Sequence, residues 1–367
     1  MTPVSTALDD SLLDDPARLA EADVAGLLRA VAMAGAQVRA TVEAAAELEL
    51  SDRLDLGRPR ALVLVARPGV GKPAVDLLTS LLGPGCPVPV VVCPVVPSWI
   101  GALDVVFAHT DDPHDRELAA SLERAARFGA TVVLSAPPEG PVASSVAGRG
   151  LLLAPRLPVP PELGFPRALT AGLLTANTLG LLVADVESLA DQLDGEAERG
   201  HPTHESFVNP AKMLALRLAD RTPLLWGLDQ VAVAVGKHAA HAFATHAART
   251  CDVADYHQAL ARPALLRTAV EGSAEHNIFA DPDEESGSVG LDPRVLLLAV
   301  QTGPAADTAR HRMAEVLPGV EVIAPAEQIQ ADAAGRAAVL ALRFELAAVY
   351  LGLAAGTIGG AGRYAPA

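Results

Sequence analysis

The stretch HTDDPHD, residues 109–115, places two imidazoles and three carboxylates within seven positions. It follows the apolar run DVVFA (104–108), and open α/β sheets bind their ligands at the carboxyl ends of strands. His and Asp together could hold a divalent metal, whose charge would offset the mutual repulsion of Asp111, Asp112 and Asp115. The same residues also spell a helix start, in which Pro113 breaks the chain, Asp115 caps, and the acids favour the positive end of the helix dipole. The helix start is the reading adopted, and no metal is expected.

A second stretch, ARPGVGK (66–72), follows ALVLV and leads into AVDLLTSLL. A phosphate-binding P-loop needs a Gly where Ala66 stands and a hydroxyl where Pro73 stands, so nucleotide triphosphate chemistry is not expected. Gly69, Gly71 and Ala74 fit G-x-G-x-x-A better. The acidic residue that should follow on the next strand to bind a ribose is missing between Asp76 and Asp104. Two readings remain. The turn offers backbone N–H groups to a small anion such as a sugar phosphate, with Gly69, Gly71 and Lys72 as contacts, or the glycines only let a strand turn tightly into a helix. His238, His241 and His246 lie on one helical stretch without the glutamate of an HExxH zinc site, and a solvated or interface face is expected there.

Around these residues the chain reads as alternating elements. Apolar runs at 61–66, 87–93, 104–108, 131–136 and 151–154 are separated by helical patterns, as in a parallel, doubly wound sheet. Asp15-Pro16 is a cap followed by proline at the first helical position, opening an Ala-rich helix or helix pair to about Leu48. Residues 194–206, DGEAERGHPTHES, read as a polar linker, after which strands at 222–227, 294–300 and 320–324 and a helix at 327–353 repeat the theme. The expected organisation is an α/β protein with an N-terminal helical segment (1–50), a first domain (51–194) and a second (195–367).

Composition narrows the function classes. Of 367 residues, 50% are hydrophobic but only 3% aromatic, so the core must come from Ala, Val and Leu. The net charge of −16 argues against nucleic acid and anionic membranes as partners. Three widely spaced cysteines fit a reducing cytoplasm, and the acidic N-terminus has no signal-peptide pattern. The uncharged stretch 168–184 carries Thr170, Thr175, Asn177 and Thr178 and reads as a buried helix, not a membrane span.

Four further stretches carry a resemblance. ESFVNPAKMLALRLADRTPLLWG (205–227), AEHNIFADP (274–282), PPELGFPRALTAGLL (160–174) and ALRFELAAVYLGLAAG (341–356) resemble segments of the bifunctional phosphoglucose/phosphomannose isomerases. The resemblance implies two doubly wound SIS (sugar isomerase) domains, a homodimer, and cofactor-free interconversion of glucose or mannose 6-phosphate with fructose 6-phosphate. It implies His276 as the ring-opening residue and Arg167 at the edge of the active site, with Glu275 or Glu271 standing in for a proton-transferring glutamate that has no counterpart in 240–252. It also places the phosphate loop at 109–115, where His109, Thr110 and neighbouring Ser135 become ligand-binding candidates. The family's Ser-Gly-Asn-Thr run is replaced there by acids, so a sugar-phosphate-binding protein without catalysis is the alternative.

Overall fold

The computed structural model describes residues 8–55, 57–274 and 293–359. The expected Ala-rich N-terminal helix is divided into α1 (Pro16–Ala22), α2 (Leu27–Ala32), α3 (Ala34–Glu47) and α4 (Leu50–Arg53). Asp15 caps α1 as its sequence predicts, accepting from the Ala17 and Arg18 N–H groups at 3.1 Å. The division follows from backbone signals: Asp23 accepts from Leu27 and Leu28 (2.7 and 2.9 Å), starting a new helix, and Glu49 takes a left-handed conformation before α4.

Two compact units result. One holds Ala32–Gly195 and Ala331–Ala338, and the other the described residues within Met1–Val31, Glu196–Gln330 and Val339–Ala367. The first unit continues with β1 (Ala61–Val65), α5 (Gly71–Leu82), β2 (Val90–Cys93), β3 (Asp104–His109), α6 (Arg116–Arg127), β4 (Thr131–Ser135), α7 (Gly140–Ser145), β5 (Leu151–Leu153) and α8 (Phe165–Thr178). Its five strands are all parallel in the order β2-β1-β3-β4-β5. Alternate residues serve opposite faces, as a strand's twofold period requires. Val63, Val65, Val106, Ala108, Val132 and Leu134 pack with Leu118 and Leu122 of α6 and with Val142 of α7. Phe107 points the other way, towards Gly172 of α8, where an added Cβ would lie 3.4 Å from its ring. Both faces are covered, which is why these strands read as continuous Val/Leu runs.

After α9 (Val186–Arg199) the second unit repeats the pattern with α10 (Pro210–Leu218), β6 (Thr222–Gly227), α11 (Gln230–Ala247), β7 (Asp252–Asp255), α12 (Tyr256–Leu260), α13 (Pro263–Ala274), β8 (Pro293–Leu298), α14 (Pro304–Val316), β9 (Glu321–Ile323) and α15 (Ala333–Ala354). Its strands are parallel in the order β7-β6-β8-β9, the same winding as in the first unit. Among the described residues α15 is the helix long and apolar enough to cross a membrane, and its apolar window is 100% buried.

Two sequence expectations are corrected here. The polar linker at 194–206 begins inside α9, and Glu196 is fully buried. Arg343 of α15 binds its carboxylate at 2.6 and 3.1 Å, and Arg199 adds a bond of 2.7 Å. An ion network in the interior looks, in hydropathy, like solvent-facing chain. The histidines of α11 do not form a solvated face either: His238 and His246 are 1% and 3% exposed.

The Asn-Pro-Ala-Lys motif has a structural job. Asn209 caps α10 through the Ala211 and Lys212 N–H groups, both at 3.0 Å, and donates to the His201 carbonyl at 3.1 Å. Buried Lys212 then donates to the carbonyls of Pro202 (2.7 Å) and His204 (2.6 Å), so the motif ties the 201–204 turn to the helix.

His238 and Glu345 of α15 lie 3.9 Å apart in the interior of the second unit. Burial pushes Glu345 up to about 8, and burial reinforced by His241 and His246 pushes His238 down to about 3, so both are neutral at pH 7. A carboxyl raised on folding contributes stability that is complete below its ordinary value and is lost as pH rises through the folded one. The melting temperature of the wild type should therefore fall by several degrees between pH 6 and pH 9, and Glu345→Gln should flatten that slope. Equal slopes in thermal melts of the two proteins would show that Glu345 is already ionised.

Candidate ligand site

The first unit's site is built at the tips of β3 and β4, whose register sets His109 opposite Ser135. Both are 0% exposed. His109 Nδ1 lies 3.0 Å from Ser135 Oγ and its Nε2 lies 3.2 Å from Asp111 Oδ2. A carboxylate can only accept, so Nε2 carries the proton and donates to Asp111, while the Ser135 hydroxyl donates to Nδ1. Burial pushes the imidazole down, which keeps it neutral.

Asp111 is held from a second side. Arg167 of α8, a residue only 9% exposed, bonds its Oδ1 through Nη2. Burial raises the Asp111 carboxyl, but the hydrogen bond from His109 and the charge of Arg167 outweigh it and hold the group below the usual carboxylate range. Arg167 Nη1 is buried and has no hydrogen bond to any described residue.

Asp111 and Arg167 form one wall of a cavity of about 160 Å³. Gln37 and Thr41 of α3 and Arg156, three residues beyond β5, supply the other polar side chains. Gln37 is fixed by donating to the Leu163 carbonyl at 3.1 Å, and Thr41 by donating to the Gln37 carbonyl at 2.7 Å. Pro137, Pro155, Pro161 and aliphatic side chains complete the lining. The result is a concave hollow with a few fixed polar groups on a largely apolar wall, the lining of a small-molecule site in a volume below the usual few hundred Å³.

The structure brings some of the sequence-derived candidates together and separates others. His109, Ser135 and Arg167 meet at Asp111, but buried His109 and Ser135 present no atom to the cavity and act through Asp111. Thr110, 3% exposed, uses its hydroxyl to accept from the Asp112 N–H at 3.1 Å. Gly69 takes φ +80° with open space where a Cβ would stand, so it serves the turn, whereas a Cβ on Gly71 would lie 2.9 Å from the His109 carbonyl, so Gly71 serves the close approach of α5 to β3. Lys72 is turned to Asp76 at 3.1 Å on the surface of α5. His276 and Glu275 lie outside the described residues.

The acids of 109–115 are engaged, not mutually exposed. Asp115 caps α6 by accepting from Leu118 N at 3.0 Å and also pairs with Arg67 at 2.7 Å. Asp112 accepts from His114 N at 2.8 Å. Among the described residues no group of three His, Cys, Asp or Glu side chains is placed to hold a metal ion. Sequence reading missed Gln37, Thr41 and Arg156 as wall residues. Only the position of Arg156 just past the strand LLLA carried a signal, and it is weak by itself.

Ser135, His109 and Asp111 form a chain of hydrogen bonds like that of a serine hydrolase. Attack requires the hydroxyl to reach a substrate carbonyl, and a fully buried Ser135 cannot. Only Asp111 and Arg167 of this chain face the cavity. A carboxylate held below its usual range is a poor proton acceptor at neutral pH, so the arrangement is better suited to gripping hydroxyl groups than to abstracting protons.

No protein-family model matches the sequence, and no curated protein matches it. Solved structures do. A protein of Silicibacter pomeroyi DSS-3 assigned as a phosphosugar isomerase aligns over 88% of this chain and 95% of its own, with TM-score 0.56 and 16% identity. The C-terminal domain of glucosamine-fructose-6-phosphate aminotransferase from Francisella tularensis aligns over 90% and 96%, with TM-score 0.60 and 10% identity. A protein of Salmonella typhimurium LT2 assigned as sugar-binding aligns over 86% and 97%, with TM-score 0.52 and 12% identity. At these identities the likeness is one of fold, namely paired parallel α/β sheets of the sugar-isomerase type.

Replacing Asp111 by Asn should leave Arg167 as a mostly buried cation without its counter-charge. Removing one partner of such a pair costs about 3–5 kcal/mol, and chemical denaturation of the Asp111→Asn protein should show a loss of that order. A loss below about 1 kcal/mol would mean that the pair is effectively solvated.

Proposed function

We propose that this protein binds a sugar phosphate in the Asp111–Arg167 cavity and acts as a non-catalytic binding protein on a sugar-isomerase fold. The observation that carries the reading is the clamp on Asp111. An ionised carboxylate fixed by a neutral imidazole and a guanidinium is a preorganised acceptor for sugar hydroxyls, and it lacks the raised affinity for protons that an aldose–ketose isomerase base needs. The cavity lies at strand tips, where ligands of open parallel sheets bind. Structures of the same fold carry names that include phosphosugar isomerase and sugar-binding protein. A cytoplasmic homodimer working without a cofactor belongs to the same reading.

A second reading, interconversion of glucose or mannose 6-phosphate with fructose 6-phosphate, is favoured by the His-Asn pair at 276–277 and its resemblance to the isomerase motif. In it His276 opens the sugar ring and Glu275 moves the proton.

Thermal shifts with glucose, mannose and fructose 6-phosphates, run beside a coupled isomerase assay, separate the two. Binding to the native state alone stabilises it by about 2.7 kcal/mol when ligand is at a hundred times its Kd. The binding reading expects a rise in melting temperature of several degrees without turnover. Turnover that disappears in His276→Ala would establish the isomerase instead, and no shift with any of the three ligands would contradict both.

A further inference from the structure

We infer that Arg156 is the phosphate-binding residue of the cavity and that Glu47 is its built-in competitor. This rests on the sugar-phosphate reading above and assigns the end of the cavity at which the phosphate sits. The cavity is lined by three charged side chains, Asp111, Arg156 and Arg167. Arg167 is already neutralised by Asp111, at the mostly buried end of the wall. Arg156 instead pairs with Glu47, which is not part of the lining and whose side chain is 68% exposed. The lining side chains by themselves therefore carry one positive charge in excess, which Glu47 balances as long as it stays paired with Arg156, on a protein whose net charge is −16. An anion can approach such a surface only where the local field is reversed.

The alternative anion positions are occupied or unsuited. The N-terminus of α6, the natural seat for a phosphate after a strand tip, is taken by the Asp115 carboxylate on the Leu118 N–H and flanked by Asp111 and Asp112. Three positions of the cavity wall are prolines, 137, 155 and 161, which have no N–H to offer. Lys72 is bound to Asp76. The guanidinium of Arg156 remains, and its planar fork matches phosphate oxygens in pairs. Its present partner uses that geometry: Glu47 accepts from Nη1 at 2.9 Å and from Nη2 through its other oxygen. Exposed pairs of this kind are weak, so a dianionic phosphate can displace the monoanionic carboxylate. Asp111 and Arg167 are then left to receive the sugar hydroxyls.

The test is calorimetric titration of the full chain and its Arg156→Gln and Glu47→Gln variants with glucose 6-phosphate and with glucose. Both residues lie at the surface, and matching thermal melts would establish that the variants fold. Arg156→Gln should weaken glucose 6-phosphate at least tenfold and leave glucose unchanged. Glu47→Gln should tighten glucose 6-phosphate severalfold. Undiminished glucose 6-phosphate binding in Arg156→Gln would overturn the assignment while leaving the sugar-phosphate reading intact. An equal loss for glucose would also overturn it, since Arg156 would then serve the ring. Unchanged affinity in Glu47→Gln would refute the competition. If the wild type bound glucose but not glucose 6-phosphate, both the assignment and the parent reading would fall.

Discussion

The carboxylate of Asp111 is shared between a neutral imidazole and a guanidinium, and the geometry of the first unit's strand tips follows from that sharing. His109 closes β3, Ser135 closes β4, and Arg167 comes from α8, so one side chain links two adjacent strands to a helix packed on the sheet. The buried His109 ring, the Ser135 hydroxyl and the Asp111 carboxylate each find a partner, which low-dielectric interiors demand. The arrangement adds little net stability, because desolvating a carboxylate and a guanidinium consumes most of what their attraction returns. Its effect is positional. It aims one ionised oxygen pair and one guanidinium at the hollow beneath α3.

That constraint also explains how an acidic loop can stand at the tips of these strands. The carboxylates of 109–115 are not a repulsive surface. Asp111 answers Arg167, Asp115 answers both Arg67 and the N-terminus of α6, and Asp112 closes a local turn. Beside the cavity, Arg156 and Glu47 face each other at the surface.

Much of the architecture was legible in the sequence because it rests on local signals. Val/Leu runs marked all five strands of the first sheet and three of the four in the second, and Asp15 and Asp115 announced helix starts. Residues whose roles depend on tertiary partners were not legible. Glu196 and Arg343 look like surface residues until they are seen to neutralise each other in the interior. His238 and His246 sit on a helix with no carboxylate at zinc-ligand spacing, and nothing local reveals that α15 covers them. Strand β7, DVAD, was overlooked because Asp at each end hides its two apolar positions. In the site, spacing alone made Asp111 a neighbour of other acids, and only the fold brings Arg167, 56 positions later, to its side. The motif Asn-Pro-Ala-Lys, recognisable from sequence, proved to hold a turn together.

The most direct examination of this account is the protonation state of His109, read by nitrogen-15 chemical shifts in uniformly labelled protein across pH 5 to 8. A ring that takes up its second proton only below the ordinary imidazole range, with the single proton of the neutral form on Nε2, is the predicted result, because burial opposes its charge and Asp111 selects the tautomer. A ring that titrates near 6.5, or one protonated on Nδ1, would mean that Asp111 is not held as described, and the clamp would be withdrawn along with the site built upon it.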